Sequence, residues 1–183
     1  MLKFTRKMLM DVKVLKSDFF ERKVLDVAPD LLGKCLVRRK GVGETRTIIT
    51  EVEAYDGEED KACHASGGMS PRNEVMYGPA GVWYVYLVYG MHNMLNIVTD
   101  GIGYPSAVLI RGTSEVAGPG RLSNFLSIDR SFNGRPASEE TGLWIEEGVL
   151  SVDDPMDIKR KKRIGVQYAG EWAGKPYRFL WTP

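Results

Sequence analysis

Apolar residues near the start of the chain recur at helical spacing. Phe20, Val24 and Val27 fall on one face. Ser17, followed by Asp18, is placed to cap a helix over Asp18–Val27. Pro29 interrupts the pattern and starts a second short turn that ends at Gly33. The period then changes to two. Leu36–Arg39 reads as a strand, Gly41-Val42-Gly43 as a turn, and Thr45–Tyr55 as a long strand rich in β-branched residues. Side chains alternate across a strand, so Glu51, Glu53 and Tyr55 share one face. Ile48, Thr50, Val52 and Ala54 share the other and point to the core.

Asp56–Pro79 has no strong periodicity and reads as a long loop region, of a length usually functional or disordered. Alternation returns over Gly81–Tyr89. Val82, Tyr84, Tyr86 and Val88 occupy one face, and Trp83, Val85, Leu87 and Tyr89 the other. Gly90 breaks the strand and Met94–Thr99 returns. Tyr89-Gly90-Met91-His92-Asn93 therefore forms a hairpin tip of unusual composition, since exposed turns normally carry Asn, Asp, Gly or Ser. Pro105–Arg111 is a further strand, Arg121–Ile128 a short helix after Gly118-Pro119-Gly120, and strands fall near Ile164–Tyr168 and Tyr177–Trp181. Strands and helices mix without a βαβ rhythm. The expected fold is α+β (mixed α/β): a single compact domain over residues 1–183, with a mainly antiparallel curved sheet, short helices and a protruding β-hairpin.

The chain's 183 residues are enough for one hydrophobic core. Val82–Tyr89, the longest apolar run near the centre, is far too brief to cross a bilayer. Met1–Met10 lacks the apolar core and cleavage site of a secretory signal, so an intracellular, non-secreted protein is expected. Cys35 and Cys63 lie in unrelated contexts and suggest reduced thiols. With His64 and His92 the only histidines, a multi-histidine metal centre is hard to build, and neither metal nor cofactor is expected. The net charge of +1 does not by itself point to a polyanion. Phosphate contacts would need local basic runs, Arg38-Arg39-Lys40 or Lys159-Arg160-Lys161-Lys162-Arg163, unless these are merely solvated surface.

Three kinds of chemistry compete. Carboxylates two apart on a strand lie roughly 6.5–7 Å from each other, and like charges at that range split their pKa values, leaving one able to serve as a general base. Glu51 and Glu53 would then suit a carbohydrate glycosidase of the inverting kind. The tyrosines instead suit a non-enzymatic nucleic-acid-binding module that stacks on bases. A hairpin wedge together with an aromatic pocket is what an enzyme acting on an extruded base needs. Each feature alone is also met in ordinary sheets and surfaces.

The order of the features is more specific. Glu51-Val52-Glu53-Ala54-Tyr55 is followed by His64, Ser70-Pro71-Arg72-Asn73 and Trp83-Tyr84-Val85-Tyr86-Leu87-Val88-Tyr89-Gly90-Met91, with Asn96 behind. Ala107–Arg111, Gly118–Leu122 and Tyr168–Trp172 continue the series. This arrangement resembles the alkyladenine (3-methyladenine) DNA glycosylase family from about Leu31 to Leu180. The resemblance implies a monomeric, monofunctional enzyme that binds duplex DNA through the minor groove, flips an alkylated or deaminated purine, and hydrolyses its glycosidic bond to leave an abasic site. It implies Glu53 as the general base, with Arg111 and the main-chain carbonyl of Ile164 setting the water. Tyr55, His64 and Tyr86 would enclose the base, and Asn96 would discriminate against the guanine amino group. Tyr89 would be the wedge, flanked by Met91 and His92. Arg121 would touch phosphate, as would the basic tail. A cationic alkylated base suits electron-rich rings. Lys61 carries no mark of an amine nucleophile, so no strand cleavage is expected.

Overall fold

The computed structural model describes residues 13–148 and 157–182. The expectation for Met1–Met10 lies outside them. Short helices α1 (Ser17–Phe20) and α2 (Val24–Asp30) open the described chain. The sheet strands are β1 (Cys35–Lys40), β2 (Gly43–Asp56), β3 (Trp83–Val88), β4 (His92–Val98), β5 (Ser106–Thr113), β6 (Leu143–Glu146), β7 (Lys159–Lys161) and β8 (Arg178–Leu180), with helix α3 (Pro119–Phe125) after β5. They pair in the order β3-β4-β5-β2-β1-β6, with β8 joining β2 and β7 joining β8. All these pairings are antiparallel. The fold is thus α+β with a curled antiparallel sheet, as expected.

Strand β2 is the axle. Its first half pairs with β1 and its second half lies between β5 and β8. Register shifts against β5 fall between Ile49 and Val52. A bulge reverses which face later residues occupy. Thr47 and Ile49 are therefore buried on the early part of the strand, and Val52 and Ala54 on the later part. This corrects the expectation for Ile48 and Thr50, which are only half-buried. The alternation expected for β3 holds. Trp83 and Val85 enter the main core with Leu95, Ile97, Val108 and Ile110. Burying each such side chain contributes about 1.5–3 kcal/mol. Tyr84 and Tyr86 belong to a second cluster with Cys63, Met76 and Ala107 on the opposite face.

The single helix expected over Asp18–Val27 is two. The break is made from a distance: Asp100 accepts the Val24 N–H through its carboxylate at 2.9 Å, and its own N–H bonds the carbonyls of Phe20 and Arg22. This carboxylate supplies the cap that Lys23 cannot. Ser17 is the first residue of α1 and makes no capping bond; Lys16 precedes it. Pro29 lies inside α2 rather than starting a new turn. The strand expected near Ile164–Tyr168 is absent. Residues 164–165 form a bend, Gln167–Gly174 is 3-10 helical, and the strand falls earlier, at β7.

Candidate functional site

Residues of β2, β3, β4 and β5 that face away from the main core floor a cleft of about 270 Å³. Tyr55, Tyr84, Tyr86, Asn96 and Arg111 line it from the sheet. His64 closes one side and Ile164–Val166 another, and Tyr89 stands at the mouth. The volume is near the lower end of the roughly 300–1,000 Å³ usual for small-molecule sites.

The aromatic wall is continuous. His64 and Tyr86 meet edge to face with centroids 4.4 Å apart, and Tyr84 and Tyr86 lie 5.2 Å apart. Nδ1 of His64 shares a hydrogen bond of 2.9 Å with the Tyr84 hydroxyl. Packing against these rings, and secondarily the charge of Arg72, holds the His64 imidazole below its ordinary pKa, so it is neutral at pH 7. Burial pushes the phenols of Tyr55, Tyr84 and Tyr86 upward, which keeps them uncharged. The Nδ2 of Asn96 donates to the carbonyls of Tyr84 and Met94, at 3.0 and 3.1 Å. Its amide is thus fixed against the cleft floor.

Glu53 lies one layer behind this surface and has no exposed area. One carboxylate oxygen accepts the Ile164 N–H at 2.8 Å, and the other accepts the Tyr55 hydroxyl at 2.9 Å. Arg111 reaches it at 3.4 Å. These three partners all line the cleft. Burial raises the Glu53 pKa above the ordinary value, and Arg111, the Ile164 N–H and Tyr55 offset only part of that effect. Glu51 has a different fate. Its Oε1 accepts from Arg111 at 3.0 Å and from Arg178 at 3.1 Å. Like Glu53 it lies outside the cleft lining, but two guanidiniums pair with it, and Arg111 bridges the two carboxylates.

The hairpin tip is shorter than the sequence suggests. Val88 pairs with His92, leaving Tyr89-Gly90-Met91 as the loop. Tyr89 and Gly90 both have positive φ, 52° and 69°. That is the pattern of a type I′ turn, which matches strand twist. A left-handed backbone costs a non-glycine residue about 1–2 kcal/mol. The turn nevertheless presents Tyr89 at 90% exposure and Met91 at 66%. His92, expected on the tip, instead begins β4 and is half-buried. Its ring packs on Gly120, where any Cβ would come within 2.9 Å. Arg121 is exposed on α3.

The basic runs are partly consumed by the fold. Arg38 bonds the carbonyls of Leu126 and Gly142 and lies 4.6 Å from the Phe132 ring. Arg39 pairs with Glu44 and Glu139. Arg163 is buried with Asp60. Lys159, Lys161 and Lys162 stay exposed. Sequence reasoning gave no role to Asn73. Its buried amide accepts from Ser70 N–H and Oγ, and donates to the carbonyls of His64 and Gly68. It thereby ties the His64 turn to the Arg72 turn. In the sequence Asn73 stands only as the last residue of the Ser70-Pro71-Arg72-Asn73 motif.

Among the described residues no three His, Cys, Asp or Glu side chains gather as a metal-binding group, and no helix is long and apolar enough to cross a membrane.

Sheet and cleft together define an α+β protein whose antiparallel sheet carries a cleft walled by aromatic rings in front of a buried carboxylate. The pattern of the methylpurine-DNA glycosylase family matches residues 18–117 and 114–183. A protein of Methanocella arvoryzae is 45% identical, with 91% of each chain covered. One from Myxococcus xanthus is 44% identical over 92% of this chain and 89% of its own. One from Legionella pneumophila is 43% identical over 92% of this chain and 94% of its own. Each of the three is provisionally named a 3-methyladenine DNA glycosylase. The chain belongs to the methylpurine-DNA glycosylase family, a family of DNA glycosylases.

Proposed function

We propose that this chain, folded as one domain and acting as a monomer inside the cell, flips alkylated or deaminated purines out of duplex DNA and hydrolyses the glycosidic bond. The observation that carries the reading is the Glu53 carboxylate, held by three groups that themselves wall the aromatic cleft. In this reading the purine stacks between Tyr55 on one side and His64 with Tyr86 on the other. Asn96, its amide fixed, presses on the base edge and disfavours the guanine amino group. Water reaches Glu53 along the seam between Arg111 and Ile164, which touch both the cleft and the carboxylate, and the Ile164 carbonyl helps to seat it. Glu53 takes the proton as oxygen attacks the anomeric carbon, and the bond to the base breaks. The base carries off the bonding electrons, and an abasic site remains.

Tyr89 and Met91 enter the minor groove, and Tyr89 fills the gap left in the stack. Extruding a base costs a few kcal/mol, which a wedge offsets. His92 seats the hairpin against α3 rather than touching DNA through an exposed ring. Arg121 and the exposed Lys159, Lys161 and Lys162 meet phosphates.

Base release from a set of duplexes, each carrying one altered purine, tests the reading; release from none of them overturns it. The pH dependence is a second test. A general base works only when ionised, and burial raises the Glu53 pKa. Base release should therefore fall, as pH drops, at a higher pH than the ordinary ionisation of a glutamate would set. An acid limb at or below the range of a solvated glutamate would contradict this.

The carbohydrate reading needs Glu51 as partner. Its capture by Arg111 and Arg178 argues against it. Glu51→Gln should leave base release within about tenfold of wild type, well short of the 10²–10⁴-fold of a general base. A loss equal to that of Glu53→Gln would restore the two-carboxylate scheme.

A further inference from the structure

The segment that closes the cleft over Glu53 has no regular structure to hold it. Residues 162–166 belong to neither strand nor helix, and Gly165 has φ 78°. Yet the Ile164 N–H must sit 2.8 Å from Glu53. The residue that fixes it is the one before. Arg163 and Asp60 are both fully buried and form an ion pair, with Nη2 at 2.8 Å from Oδ1. Nη1 of Arg163 also donates to the carbonyl of Ala54 on β2 at 2.8 Å, and Nη2 to that of Trp172 at 3.2 Å. The guanidinium lies 4.9 Å from the Tyr55 ring and 5.2 Å from the Tyr177 ring. Asp60 accepts the N–H groups of Asp56 and Ala62 at 3.1 and 3.0 Å.

One side chain thus joins β2, the loop after it, the Gln167–Gly174 turn and the cleft-closing segment. A buried ion pair is weak evidence of added stability, because desolvation offsets its attraction. Well-packed apolar residues would serve as well if stability were the only demand. What apolar residues cannot do is fix a peptide in one orientation through directed bonds.

We propose that the Arg163–Asp60 pair is a positioning device that presses the Ile164 peptide against the Glu53 carboxylate and so sets where the general base meets its water. Neither residue lines the cleft, so both act through Ile164. The assignment rests on the reading of Glu53 given above.

Placement and charge can be separated by sign. Charged or titratable groups around Glu53 are Glu51 and Tyr55 on β2, Tyr86 on β3, Arg111 on β5, Arg163 ahead of Ile164, and Arg178 on β8 through its bond to Glu51. Asp60→Asn removes a negative charge. By charge alone that eases ionisation of Glu53 and moves the acid limb of base release to lower pH. Loss of the clamp withdraws the Ile164 N–H while Tyr55 and Arg111, held by the sheet, still cover the carboxylate, so burial persists and the limb moves to higher pH. Arg163→Lys keeps the charge, but one ammonium cannot bond Asp60, Ala54 and Trp172 with the geometry of a guanidinium.

The experiment is single-turnover base release against pH, with lesion-duplex binding and thermal melting, for wild type, Asp60→Asn, Arg163→Lys and Glu53→Gln. Both clamp variants should be on the order of 10- to 100-fold slower at the plateau, bind the duplex as wild type does, and show the acid limb at higher pH. An Asp60→Asn limb that stays or moves down overturns the proposal. So does a joint loss of rate and binding with the limb unmoved. If Asp60→Asn does not fold, Arg163→Lys, which keeps the buried charges balanced, decides by the same outcomes. No release by wild type, or undiminished release by Glu53→Gln, would instead sink the underlying reading of Glu53.

Discussion

Glu53→Gln should lower base release by about 10²–10⁴-fold while leaving binding to a lesion-containing duplex intact. The two halves of this result have separate causes. Glutamine has nearly the same shape and retains an acceptor oxygen for the Ile164 N–H, now 2.8 Å from the carboxylate. It cannot take a proton from water. Binding should survive because Glu53 has no exposed surface, and the groups that line the cleft are its neighbours. The strain of the substitution falls on Tyr55 and Arg111. The glutamine NH₂ would face two donors, and the Tyr55 hydroxyl can turn to accept while Arg111 cannot. Arg111 still has Glu51 at 3.0 Å, so its guanidinium is not left unpaired. Single-turnover release and duplex binding, measured on the same lesion, check both halves. A variant that binds and still releases base within tenfold of wild type would remove Glu53 from the chemistry. A parent and variant that both bind, with neither releasing base, would leave a binding module.

Much of the cleft could be read in the sequence because one rule governs it. Residues alternate across a strand. The expected face of Tyr84, Tyr86 and Val88 is the one that lines the cleft, and Trp83 and Val85 face the core. Glu53 and Tyr55 share a face and a hydrogen bond, as the two-residue spacing requires. The same rule failed at Ile48 and Thr50. Ile48, Ile49 and Thr50 are all β-branched, so composition gives no sign of where the parity breaks, and the bulge depends on how β5 meets β2. Contacts across long stretches of chain were hidden for the same reason. Asp100 caps α2 from 76 residues away, and Arg163 meets Asp60 across 103. A run of five basic residues looks uniform in sequence; only the fold shows that its last member is buried while Lys159, Lys161 and Lys162 are not.

This arrangement divides the labour between two rigidities. The sheet fixes the tyrosines and Arg111 through its ladder, while side-chain bonds fix what the ladder cannot reach. Asn73 holds the His64 turn with two hydrogen bonds, to the carbonyls of His64 and Gly68, and is itself braced by two from Ser70. Arg163 holds Ile164. A cleft built this way is preorganised on three sides before any ligand enters, which lowers the cost of ordering it on binding.

The hairpin tip is the exception, and Tyr89→Ser should expose its role. Tyr89 stands 90% exposed with φ 52°, so the fold keeps a bulky side chain in a strained turn and buries almost none of it. Strain without a packing return marks a site held for something outside the chain. Filling the space of an extruded base by stacking is worth about 1–3 kcal/mol, so its loss should slow excision roughly ten- to hundredfold. Serine keeps a side chain at that backbone position, so the turn itself should persist. The effect should depend on the lesion's pairing. A well-stacked, well-paired base needs the wedge most, whereas a mispaired base is already cheaper to extrude. The measurement is single-turnover release of one altered purine, first opposite its best partner and then opposite a mismatch, with Tyr89→Gly as a control that relieves the strain. The slowing should be larger for the paired lesion in both variants. Equal slowing in the two duplexes would mean that Tyr89 contributes general affinity and that base extrusion is driven from elsewhere.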